Sequence, residues 1–155
     1  MYVLSEQVVT RWYRAPEVVL LASEYTTSID IWAVGCILAE LVLRKPLFTG
    51  KDHLDQIKRI IEIIGTPSQE DLNWLPTSGP ARRFVGKCPQ SNGKLDEVFK
   101  GKTSNEQCIE LIHKMLVFNP SIRYHVDQCL EHVFFQELHV DDPECNSTVS
   151  ITVPF

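Results

Sequence analysis

Val8-Val9-Thr10-Arg11-Trp12-Tyr13-Arg14-Ala15-Pro16-Glu17 is the stretch that decides the fold. Two arginines alternate with two aromatic residues and lead into Ala-Pro-Glu. Arg11 and Arg14 stand three residues apart, a spacing that lets both guanidinium groups converge on one phosphate through charge-assisted, bidentate hydrogen bonds. Ser5 precedes them in a polar stretch, and a phosphate on it would order that stretch against the arginines. Taken alone, the same residues also read as a solvated arginine pair beside two core aromatics. Pro16 suits the first position of a helix, and Val18-Val19-Leu20-Leu21 follows as an apolar run.

Working outward, residues 27–43 form the most apolar stretch. From Ile29 to Leu43 apolar residues occupy every direction of a helical wheel, the mark of a membrane span or of the central helix of a core. The run is short and holds Asp30 and Glu40, which argues for the core helix. Thr27 or Ser28 can cap it, and Pro46 stops it. Leu54, Ile57, Ile60, Ile61 and Ile64 then recur at helical spacing, with Gly65 at the stop and Pro67 beyond. Ser68 caps a short helix through Leu72. Residues 74–103, rich in Pro, Gly, Ser and Asn, read as an irregular insert. Ser104-x-x-Gln107 has the form of a capping box and opens a helix with Ile109, Ile112 and Leu116 on one face. Another helix begins over Asp127–Glu131. No strand alternation and no repeat is visible. The expectation is a mainly α fold, a layer of helices around residues 29–43.

The 155 residues suffice for one domain with its own core. A net charge of −5 and the lack of a basic tract argue against nucleic acid or anionic membrane as partners. Five scattered cysteines without a Cys-x-x-Cys pair suit free thiols in a reducing compartment. Met1-Tyr2-Val3-Leu4 does not have the form of a secretory signal. Gly101-Lys102-Thr103 resembles the end of a phosphate-binding loop, but Asp96 stands where the first glycine is needed. Cys129-x-x-His132 lacks a second ligand pair at metal spacing, so no metal site is expected.

The Thr-Arg-Trp-Tyr-Arg-Ala-Pro-Glu segment resembles the close of the activation segment of eukaryotic protein kinases, in the form used by the MAP-kinase and cyclin-dependent-kinase group. Ser28–Glu40 resembles that group's central helix. Arg44–Gln56, Ile64-Gly65-Thr66-Pro67-Ser68 and Lys114–Arg123 are similar to MAP kinases in particular. The resemblance implies the C-lobe portion of a kinase fold over residues 1–135, truncated before the activation segment, with a MAP-kinase-type insert. Residues 136–155 then form a C-terminal extension.

The resemblance implies further roles. Glu17 and Arg123 form a structural ion pair between the activation segment and the late helices. Asp30 supports the catalytic loop. Thr10 approaches the catalytic base. Val9, Thr10 and Arg14 bind substrate, and Arg11 and Arg14 hold phosphate. Ser5-Glu6-Gln7 stands where the family has Thr-x-Tyr, so Ser5 is the one phosphorylation site left. Asp141, Asp142 and Glu144 lie near the family's acidic docking patch, a place for an upstream kinase or phosphatase. Proline-directed Ser/Thr proteins are the implied substrates, and the cytoplasm or nucleus the implied location. The sequence contains no Gly-x-Gly-x-x-Gly loop, Val-Ala-x-Lys, His-Arg-Asp or Asp-Phe-Gly. ATP and Mg2+ are therefore expected of the intact family domain and no cofactor of these residues alone. The competing expectation is a non-catalytic module that docks kinase substrates or regulators.

Overall fold

The structure, a computed structural model, describes residues 10–20 and 26–138. Among them all regular structure is helical. The seven α-helices are α1 Pro16–Val19, α2 Ser28–Leu43, α3 His53–Ile64, α4 Pro80–Lys87, α5 Leu95–Phe99, α6 Glu106–Met115 and α7 Val126–Leu130. Three 3-10 helices, Arg11–Tyr13, Glu70–Leu72 and Val133–Leu138, complete the set. No helix among the described residues is long and apolar enough to cross a membrane.

The core forms around α2, which packs most extensively on α6. Trp32 is fully buried and stacks on Phe48 with ring centroids 5.6 Å apart. Gly35 brings the two helices close: a Cβ there would lie 2.8 Å from Cβ of Met115. The opposite side of α2 is different. Val34, Ile37 and Leu41 are about half exposed or more. The all-round apolar pattern is thus satisfied on one face of the helix by the described residues.

α3 follows its sequence signals closely. Ile57, Ile60 and Ile61 are buried, while Leu54 is exposed. The Asp52 carboxylate accepts the Asp55 N–H at the start, and Gly65 ends the helix at φ +101°. Those N–H bonds are the main reason the Asp52 carboxyl sits below its ordinary pKa. α1 begins with Pro16 at its first turn.

Three local expectations change. The hydroxyl at the start of α2 that bonds the Ser28 N–H belongs to Thr26, at 3.4 Å, and no side chain of Thr27 caps the helix. α6 is capped by Asn105, whose Oδ1 accepts the Cys108 N–H at 2.9 Å, one residue later than the Ser104 capping box. An amide oxygen there reaches the same orphan donor that a serine hydroxyl would. Residues 74–103 contain α4 and α5, and Leu75, Val85, Cys88, Leu95 and Phe99 join the core. Their helices are too short to register as a period against the surrounding Pro and Gly.

Candidate substrate-binding segment and its anchors

Thr10–Glu17 crosses from solvent into the core. Thr10 is exposed, Arg11 to Arg14 are half-buried, and Ala15, Pro16 and Glu17 are buried. Each part is tied down differently.

At the buried end Glu17 meets Arg123. Arg123 Nη1 donates to Glu17 Oε1 at 2.7 Å, and Nη2 donates to Oε2 at 3.0 Å. Two further donors are engaged: Nη1 also bonds the Ser28 carbonyl at 2.7 Å, and Nε bonds the Val117 carbonyl at 3.0 Å. The guanidinium carbon lies 5.1 Å from the Trp32 ring centroid. Both residues are at most 2% exposed. A buried charge pair is tolerated where geometry is bidentate and the charge is further hydrogen-bonded, and here all three guanidinium nitrogens donate. One arginine thus joins α1, the start of α2 and the loop after α6.

In the middle, Tyr13 Oη donates to Glu40 Oε2 at 2.6 Å. That bond, then burial, raises the phenol above its ordinary pKa. Toward the exposed end, the Trp12 indole N–H donates to the Gly50 carbonyl at 3.2 Å, and Arg11 Nη1 donates to the Lys51 carbonyl at 2.7 Å. Arg11 Nε is buried with no partner. Gln56 of α3, fully buried, donates through Nε2 to the Trp12 carbonyl at 3.3 Å and accepts the Gly50 N–H through Oε1 at 2.8 Å.

The residues singled out from sequence therefore fall into four groups. Glu17 and Arg123 are brought together, 106 positions apart in the chain. Thr10, Arg11 and Arg14 lie on one short segment, with an Nη of Arg11 committed to a backbone carbonyl. Asp30 is exposed on the first turn of α2. Ser5, Val9, Asp141, Asp142 and Glu144 lie outside the described residues. Gly50 and Gln56 were quoted in sequence only as part of a motif, without a role. The signal for Gln56 is its register: it is a polar residue on the stripe that continues through Ile57, Ile60 and Ile61.

Beside the segment lies an apolar groove of about 1140 Å³, lined among others by Val19, Leu20, Leu54, Trp74, Pro80 and Phe84. No group of three or more metal-ligating side chains gathers among the described residues. The seven glycines of the chain are all too widely spaced for a phosphate-covering loop.

The sequence matches the protein kinase domain family over residues 2–135. It is 44% identical over 149 residues to mitogen-activated protein kinase 6 of Oryza sativa subsp. japonica, covering 95% of this chain and 39% of that protein. It is 44% identical over 154 residues to mitogen-activated protein kinase 6 of Arabidopsis thaliana, covering 98% of this chain and 37% of the relative. It is 48% identical over 147 residues to extracellular signal-regulated kinase 1 of Dictyostelium discoideum, covering 92% and 27% respectively. The chain spans well under half the length of these relatives. It belongs to the protein kinase domain family, and what it matches is part of a MAP kinase.

Proposed function

We propose that the chain carries the substrate-binding and regulatory elements of a proline-directed serine/threonine kinase of the MAP-kinase type, and that these 155 residues alone do not transfer phosphate. The observation that carries the reading is the Glu17–Arg123 clamp. It fixes one end of the Thr10–Glu17 segment to the start of α2 and the loop after α6 and leaves Thr10 in solvent, an arrangement suited to holding a peptide against a rigid backing. Val9 and Arg14 shape the pocket for the residue after the acceptor. Proline is preferred there because it has no N–H to leave unpaired. Ser5 is the phosphorylation site, Arg11 and Arg14 receive its phosphate, and Asp141, Asp142 and Glu144 attract basic partner peptides.

ATP and Mg2+ supply the transferable phosphoryl group and its charge neutralisation in this family. The residues present do not fit them: no glycine-rich loop, nucleotide-binding lysine or metal-binding Asp-Phe-Gly occurs in the sequence. The apolar groove favours a second reading, a non-catalytic module that docks a segment of a kinase substrate or regulator.

The test is direct. The purified chain with Mg-ATP and a Ser-Pro peptide is expected to incorporate no phosphate, yet to bind that peptide more tightly than its Ser-Ala counterpart. Phosphate transfer at a rate that scales with the chain's concentration overturns the first part. Equal binding of the two peptides overturns the second.

A further inference from the structure

We propose that Gln56 is a positioning residue for the substrate segment, the closing member of a buried three-way latch with Trp12 and Gly50. This rests on the reading of Thr10–Arg14 as the peptide-binding element and adds the device that holds its shape.

The latch is a ring of three hydrogen bonds. Gln56 donates to the Trp12 carbonyl, Trp12 donates through its indole to the Gly50 carbonyl, and Gly50 donates its N–H back to Gln56. The 3-10 turn Arg11–Tyr13 meets in it a distant part of the chain, the loop after Phe48 and the α3 helix that this loop leads into. The Arg11 bond to the Lys51 carbonyl extends the same junction by one residue on each side of the contact.

Each member has a chemical requirement. A side chain at position 56 must offer one acceptor and one donor from a planar group at full burial, and a glutamine amide does so without charge. A carboxylate would set a second acceptor against the Trp12 carbonyl. A hydrocarbon would leave a buried N–H and a buried carbonyl unpaired. Position 50 must lack a Cβ, since one would lie 2.4 Å from Gln56 Cα and 2.4 Å from its Oε1. Position 12 must be an indole, which alone among aromatic side chains donates N–H from an apolar body.

The Glu17–Arg123 clamp fixes where the segment ends. The latch fixes the path of the backbone at Trp12, two residues from both Thr10 and Arg14. With the carbonyl of Trp12 held by α3, the backbone from Trp12 to Arg14 keeps one path. Discrimination for proline then depends on Gln56, which makes no contact with the peptide.

The experiment uses the 155-residue chain with Gln56→Met and Gln56→Glu, read by nitrogen–proton NMR. In the wild type the Gly50 amide and Trp12 indole protons are expected to exchange slowly. Gln56→Met is expected to speed both at least tenfold while amides of α6 keep their rates. Gln56→Glu is expected to show wild-type rates at a pH where the buried carboxyl is protonated, because the acid then donates and accepts as the amide does, and to lose them as the pH rises. Unchanged Gly50 and Trp12 exchange in both variants overturns the latch. If the Met variant loses the fold, the acid-rescued Glu variant still decides. Peptide titration separates positioning from mere structure: the Ser-Pro to Ser-Ala affinity ratio is expected to fall toward one in Gln56→Met. An unchanged ratio overturns the positioning role. A wild type that shows no preference overturns the peptide-binding reading instead, and the exchange rates then decide the latch alone.

Discussion

The two faces of α2 share a composition and differ in environment. Trp32, Cys36, Ala39 and Leu43 are buried against α6, the segment after Arg44 and Arg123. Val34, Ile37 and Leu41 are equally apolar and face outward. Helical periodicity reports how many sides of a helix are suited to burial, and here the described residues cover one of them. Exposed apolar surface of this kind marks an interaction or aggregation surface.

The largest way to break the contrast is at the charge beneath the buried face. Glu17→Ala leaves Arg123 buried without its counter-ion, which typically costs about 3–5 kcal/mol. The expected outcome is loss of most native ellipticity at 25 °C. Glu17→Leu combined with Arg123→Met is expected to cost less than the sum of the two single changes, as measured by urea titration. Next is Gly35→Ala, which pushes a methyl group against Met115 and Leu116. Overpacking of this kind costs roughly 1–3 kcal/mol, and the melting midpoint reads it. On the outward face Ile37→Ser is expected to change stability by no more than about 0.5 kcal/mol, and light scattering is expected to fall. A fall in stability as large as that of Gly35→Ala would show that the outward face is covered in solution. The smallest effect concerns Cys36. Burial pushes its thiol up to about 12, with Arg123 pulling the other way. The thiolate is therefore scarce below that pH in the folded chain. Iodoacetamide at pH 8 is expected to leave Cys36 unmodified until denaturant is added, as mass spectrometry reads.

How much of this was legible from sequence depended on whether a feature was repeated or solitary. The inward residues of α3, spaced three and four apart and closed by Gly65, announce their helix because each repeats the same message. The kinase motifs from Thr10 to Arg123 likewise carry the family. α4 and α5 were hidden because little more than two turns cannot establish a period. The hydroxyl and amide oxygens at the helix starts slipped by a residue or two, from Ser104 to Asn105 and from Thr27 or Ser28 to Thr26, because several neighbouring oxygens compete for the same N–H groups. The latch was invisible for a stronger reason. Trp12, Gly50 and Gln56 are single residues whose meaning lies in their meeting, and no local pattern encodes that. The exposed half of α2 was legible only as apolar sequence, since what covers a face is not written in the face itself.

The 106-residue separation between Glu17 and Arg123 also has a consequence for time. Closing so long a loop carries a large entropic cost that grows with the logarithm of its length. The helices between the two residues must be in place before the pair can form with good geometry. A contact made that late is expected to be absent from the folding transition state, so that its loss falls on the unfolding rate. Stopped-flow measurements on a mild variant such as Glu17→Gln are expected to show faster unfolding with little change in refolding. The clamp then governs how long the chain stays folded, and the helices before it govern how fast the chain folds.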